Sequence, residues 1–181
     1  MTGAQRRYPG SALTRCSVTL RSALMPSADT VVETTLSPEI VRAALLDFSE
    51  RRPEIWPGLA PELYEVYTVG DSTADVKEGT KMPLGSFWAR EHYDWSDPDI
   101  VRWTVKASNF CTPGSYVSAT TRPRDDGGTR VEIHWERKGS SLVGKIACRL
   151  IGATKGKPVA ASVDKALRKL EADHATSSVG S

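Results

Sequence analysis

Two alternating runs joined by a tight turn constrain this chain most: Phe87-Trp88-Ala89-Arg90-Glu91-His92-Tyr93-Asp94-Trp95 and Val101-Arg102-Trp103-Thr104-Val105-Lys106-Ala107, with Ser96-Asp97-Pro98-Asp99 between them. Successive side chains of a strand face opposite sides. The second run therefore sets Val101, Trp103, Val105 and Ala107 against Arg102, Thr104 and Lys106, and one face must be covered. In the first run Phe87, Ala89, Tyr93 and Trp95 go together, and Glu91 shares their parity. A carboxylate among aromatic rings is costly unless it is paired, hydrated or used. Its presence points to a cavity behind the sheet rather than to a close-packed core. His92 has the opposite parity, as does His134 in Val131-Glu132-Ile133-His134-Trp135, which assigns both histidines to the solvent face; a one-residue slip would exchange the faces.

The same alternation extends over Glu62 to Arg137. Strands are expected at Leu63 to Val69, briefly at Asp75 to Glu78, and at Phe87 to Trp95, Val101 to Ala107, Tyr116 to Arg122 and Thr129 to Arg137. Asp125-Asp126-Gly127-Gly128 is a strong hairpin signal between the last two. Short links between consecutive strands imply an antiparallel meander. Upstream, Thr30-Val31-Val32-Glu33-Thr34-Thr35-Leu36 is rich in β-branched residues and reads as a first strand. Ser37-Pro38-Glu39 then opens a helix whose stripe is Ile40, Val41, Ala44, Leu45 and Phe48. Arg52-Pro53-Glu54-Ile55-Trp56 permits a short second helix, which Pro57-Gly58 stops. Downstream, Ser140 and Ser141 can cap a long helical region, and Gly152, Gly156 and Pro158 predict a break near Lys155. These elements make an α+β domain with its helices on one face of the sheet.

At 181 residues, the chain fits one domain able to bury roughly 70% of its extended surface. Cys16, Cys111 and Cys148 lie far apart with no C-x-x-C pair, so neither a disulfide framework nor a zinc site is indicated, and a reducing cytoplasm fits. The formal charge is +2, yet residues 1–28 carry Arg6, Arg7, Arg15 and Arg21 and no acid, so the remainder is net negative. That leader reads as a disordered extension or an overextended start with Met25 as initiator. Residues 29–174 are expected to form the domain and 175–181 to fray. No segment has the length and apolarity of a bilayer span. Gly152-Ala153-Thr154-Lys155-Gly156-Lys157-Pro158 lacks the spacing and the final Ser or Thr of a phosphate loop. Asp94, Asp97 and Asp99 lack calcium-loop spacing, so no metal and no cofactor are expected. The basic residues from Lys145 to Lys169 read as a solvated helix face rather than as a site for nucleic acid or anionic lipid, because no groove-reading motif accompanies them.

The order of elements, the Ser37-Pro38-Glu39 helix entry, Arg52 to Pro57, the Tyr93-Asp94-Trp95-Ser96-Asp97-Pro98 to Trp103 hairpin, Gly128-Thr129-Arg130-Val131 and the terminal helix resemble the START-like helix-grip superfamily. Within it they resemble the bacterial polyketide cyclase/dehydrase and lipid-transport branch. The resemblance covers roughly residues 30 to 172. It implies a curved antiparallel sheet, of about six to seven strands, wrapped around a long C-terminal helix, with two short helices after the first strand. It also implies a cavity between sheet and helix for a lipid, polyketide or similar apolar molecule. Its lining would come from Tyr93, Trp95, Trp103, Val105, Ile133 and Trp135, and from Val159 and Val163 on the last helix. Glu91, Tyr93 and Tyr116 would supply polar selectivity, with pairing of Glu91 to Arg137 or to the neighbours of Arg90 at the sheet edge as the equal alternative for that carboxylate. A guest burying roughly 300 Å² would gain about 7 kcal/mol before association costs of similar size, so those polar groups would decide what binds. Whether the protein is an enzyme stays open: an aromatase/cyclase using Glu91 and Tyr93 to handle protons is one alternative, and a cochaperone-like interaction protein another.

Overall fold

The computed structural model describes residues 25–83 and 85–179; the expectation for the leader lies largely outside them. Seven described strands, β1 (Ser27–Thr34), β2 (Glu65–Val69), β3 (Thr73–Met82), β4 (Gly85–Asp94), β5 (Ile100–Ser108), β6 (Tyr116–Pro123) and β7 (Thr129–Glu136), form one antiparallel sheet. Its order is β1-β7-β6-β5-β4-β3-β2. The meander from β2 to β7 is thus completed by the first strand, which returns to pair with the last. β3 is ten residues long, well beyond the short strand expected around Asp75 to Glu78. Lys77, Glu78 and Thr80 hide its apolar alternation, and only the full ladder from Thr73↔Asp94 to Met82↔Gly85 reveals its length.

The helices are α1 (Pro38–Leu45), α2 (Arg52–Ile55), α3 (Leu142–Ala153) and α4 (Lys157–Val179), with a 3-10 turn at Pro61–Leu63. α1 buries Val41, Ala44 and Leu45, the stripe its spacing predicts, and packs toward β6. Ser37 is extended ahead of Pro38, but its side chain caps no amide; Ser141 does, accepting from Gly144 N at 3.1 Å. The expected break falls at Lys155 (φ 51°) and Gly156 (φ 74°), where two consecutive left-handed residues end one helix and turn the chain into the next. α4 lies along β1 and buries Ala166 and Leu167. The Glu171 carboxylate fixes it there by accepting from Thr34 Oγ1 at 2.6 Å, Thr35 N at 2.8 Å and Thr35 Oγ1 at 2.9 Å.

The start of α3 is held by backbone approach. Phe110 O accepts from Ser140 N at 2.8 Å, and a Cβ on Gly144 would overlap that same Phe110 carbonyl. Gly144→Ala should therefore cost about 2 kcal/mol and lower Tm by about 4–8 °C. Thermal denaturation followed by circular dichroism measures it; an unchanged Tm would mean that α3 does not need this contact.

Candidate functional site

The inner face of the sheet follows the alternation: Trp103 on β5, Val117 and Ala119 on β6, and Val131, Ile133 and Trp135 on β7 all point toward the helices. α4 does not close down on them completely. A cavity of about 410 Å³ remains, bounded by this wall, by Leu45, by Trp56, Gly58 and Leu59 after α2, and by Ile151, Pro158, Val159 and Val163 at the α3–α4 corner. Its wall is mostly apolar, with Arg52, Glu78, Thr80, Ser162 and Arg137 as exceptions.

Two buried charge clusters stand at this cavity. In the first, Arg52 on α2 is only 4% exposed. Its Nε meets Glu78 Oε1 at 2.5 Å, its Nη1 donates to Leu45 O at 3.1 Å and Asp47 O at 2.9 Å, and its Nη2 donates to Tyr93 Oη at 3.0 Å. Tyr93 Oη in turn donates to Glu78 Oε2 at 2.9 Å. The rings of Phe48, Tyr93 and Trp56 surround the guanidinium at 4.9, 5.2 and 5.9 Å, a geometry that favours a delocalised cation. Burial first, and then the Glu78 charge, hold the Tyr93 phenol well above its ordinary value. Tyr93 is thus a neutral donor at physiological pH, unsuited to act as a base.

In the second cluster, Arg137 Nη2 donates to Glu91 Oε1 at 2.6 Å. Arg137 reaches the cavity wall, and its Nε is buried without a hydrogen-bond partner among the described residues. Glu91 is pushed up to about 7 by burial, with Arg137 opposing the rise and Glu78 adding to it. Above that pH the two form an ion pair; below it a neutral carboxyl faces a cation. The raised value has a sign. Between about pH 4.5 and 7 the folded protein binds a proton that the unfolded chain releases, so Glu91 makes stability fall as pH rises through this window. Urea melts across that window should show the decline, and Glu91→Gln should remove it; an identical pH dependence in the variant would place the titration elsewhere.

The structure brings Tyr93, Trp103, Ile133, Trp135, Val159 and Val163 together around the cavity. It separates the other four candidates from it. Glu91 lies inside, as its parity requires, but 3% exposed and behind Arg137 rather than on the wall. Val105, paired with Glu91 across the β4–β5 bulge, is core. Trp95 stacks on Phe48 at 5.7 Å and donates from Nε1 to Asp71 O. Tyr116 has the parity opposite to Val117 and Ala119, so it belongs to the outer face: Arg102 covers its ring at 3.8 Å, and its hydroxyl is directed at Glu136. His92 and His134 also sit on that face, beside Asp75 at 3.2 Å and Asp29 at 2.7 Å. Arg52, Glu78 and Trp56 were not among the candidates. Parity carried the missing signal: Glu78 shares a face with Ala74 and Val76, and a second inward carboxylate requires a second inward cation.

An open seven-stranded antiparallel sheet facing a long last helix, with two short helices after its first strand, has close structural counterparts. The Zhui aromatase/cyclase from Streptomyces sp. R1128 superposes with a TM-score of 0.64 at 12% identity, over 79% of this chain and 91% of that one. A START superfamily protein from Mycobacterium smegmatis gives 0.65 at 11%, over 80% and 98%. Norcoclaurine synthase from Thalictrum flavum gives 0.61 at 14%, over 92% and 98%. The chain has the START-like helix-grip fold. No family model matches the sequence, and no curated protein does either. Among its described residues this helix-grip protein has no helix long and apolar enough to cross a membrane.

Proposed function

We propose that this protein binds a small, mainly apolar molecule, of the lipid or polyketide kind, whose one acceptor or acidic group lies against Arg137. The carrying observation is the cavity itself: about 410 Å³, within the range of small-molecule sites, with aromatic walls and a buried guanidinium Nε that lacks a partner. A guest oxygen against the part of Arg137 that reaches the wall would add an acceptor to a cation whose burial is otherwise costly. Arg52 is the poorer anchor, because Glu78, Tyr93 and two backbone carbonyls already take up its donors. A cytoplasmic location belongs to the same reading: Cys111 and Cys148 are free and buried, which suits reducing surroundings.

A second reading, an aromatase/cyclase, is favoured by the cations on the wall. A polyketide chain folded against Trp103 and Trp135 would bring a ketone within the field of Arg137, and a cation there stabilises an enolate. Tyr93, whose single hydroxyl proton goes to Glu78, would line the wall and not act as a base. Glu91 would act only through Arg137.

The first test is mass spectrometry of denatured, purified protein for a co-purifying small molecule, followed by thermal shift across fatty acids and aromatic polyketides. A true guest at a hundredfold excess over its Kd contributes about 2.7 kcal/mol, a rise in Tm of about 5–10 °C. Empty protein and a flat panel would remove the binding proposal. Turnover of a poly-β-ketone would select the second reading.

A further inference from the structure

α3 is amphipathic in the unusual direction. Its small residues Gly144 and Cys148 are the buried ones, whereas Leu142, Ile146 and Leu150 are 75%, 60% and 59% exposed and Val143 is 39% exposed. The spacing of four places the three large side chains on a single outward stripe. Contiguous apolar surface of this kind marks an interaction site far more often than an isolated exposed leucine does. The exposed cations Lys145 and Arg149 border the stripe on the same helix, and exposed Lys155 and Lys157 follow at the corner into α4. From Arg137 to Val163 the sequence contains no Asp or Glu.

We propose that this outward face of α3, framed by Lys145 and Arg149, rests on an anionic lipid surface. The charge selects the occupant. A second copy of the chain placed symmetrically on the stripe would bring Lys145 and Arg149 of each copy close to those of the other, with no acid on the helix to relieve them. Residues 1–24 carry four arginines and no acid, so like charge disfavours them as an occupant of the stripe. An anionic bilayer answers both features together, accepting Leu142, Ile146 and Leu150 below its headgroups while the flanking cations meet phosphates. The proposal is independent of what the cavity holds. Docking in this orientation would bring the α3–α4 corner, whose Ile151, Pro158 and Val159 line the cavity, close to the lipid surface.

The test is co-sedimentation of the full chain with phosphatidylcholine vesicles and with vesicles of equal parts phosphatidylcholine and phosphatidylglycerol. Binding is expected to the anionic vesicles only and to weaken as salt rises. Lys145→Gln with Arg149→Gln should weaken it by roughly fivefold per charge removed. Ile146→Ser with Leu150→Ser should reduce it at least as far. Both pairs are exposed, so Tm should stay within a few degrees of the parent, which circular dichroism checks. Three results would overturn the proposal: no binding to anionic vesicles, binding that survives the Ile146→Ser, Leu150→Ser change, or a dimer in sedimentation velocity that the same change dissociates while vesicles go unbound.

Discussion

Replacing Arg52 with methionine should destabilise the protein by about 3–5 kcal/mol, the cost of removing one partner from a buried ion pair, and lower Tm by roughly 10 °C or more. The loss has several sources. Glu78, with a side chain 13% exposed, would keep only the Tyr93 hydroxyl among its bonds within the cluster; Leu45 O and Asp47 O would lose their shared donor, and three rings would lose the cation between them. Arg52→Lys should recover little, since one ammonium cannot meet Glu78, Tyr93 and two carbonyls along three directions. Combining Arg52→Met with Glu78→Gln should restore part of the stability, because the stranded charge is then gone. Denaturant unfolding of the two single variants and the double variant makes this a double-mutant cycle. A cost below about 1 kcal/mol for Arg52→Met would show that the pair is solvated in solution and does not close the α2 side of the cavity.

This cluster also shows where sequence reasoning stopped. Strand parity was legible in β4, β5 and β7, because Trp103, Val105, Ile133 and Trp135 alternate with charged or polar residues. From that alternation came the buried face, the inward Glu91 and the outward histidines. In β6, Tyr116 looked like a polar group for the site because its ring is aromatic, yet the same rule applied from Val117 and Ala119 turns it outward. In β3 no apolar run announces a long strand, and only the parity shared with Ala74 and Val76 marked Glu78 as inward. Arg52 sits in a four-residue helix whose position over the sheet is a tertiary fact, invisible in local spacing. The sequence could state that an inward carboxylate needs a partner and could offer Arg137 for Glu91; only the packing of α2 onto the sheet, and the reach of Arg137 from the end of β7 across the inner face to β4, says which arginine serves which acid. The exposed face of α3 was hidden for the opposite reason. Leu142, Ile146 and Leu150 have the spacing of a core stripe, and nothing local reveals that Gly144 and Cys148 take the inward side.

The cavity itself yields the second large effect. Ala119 on β6 pairs with Val101 on β5 and Ile133 on β7, is 2% exposed, and reaches the cavity wall with nothing larger than a methyl group. Ala119→Phe would send a ring from the wall toward Val159 and Val163. If the space is open, the ring fills it: an apolar guest should lose at least tenfold in affinity, while overpacking costs stay small because no neighbour must move. Tm should then be unchanged or slightly higher, since the ring leaves water. If the interior is instead close-packed, the same substitution must push side chains off their rotamers and cost about 1–3 kcal/mol. The two measurements separate the possibilities. Weaker binding at constant Tm locates the guest between sheet and α4; constant affinity moves it elsewhere; and a fall in Tm of several degrees means that the helix sits on the sheet without leaving a space. That last result would leave the fold as it is and withdraw the reason for assigning it a small-molecule partner.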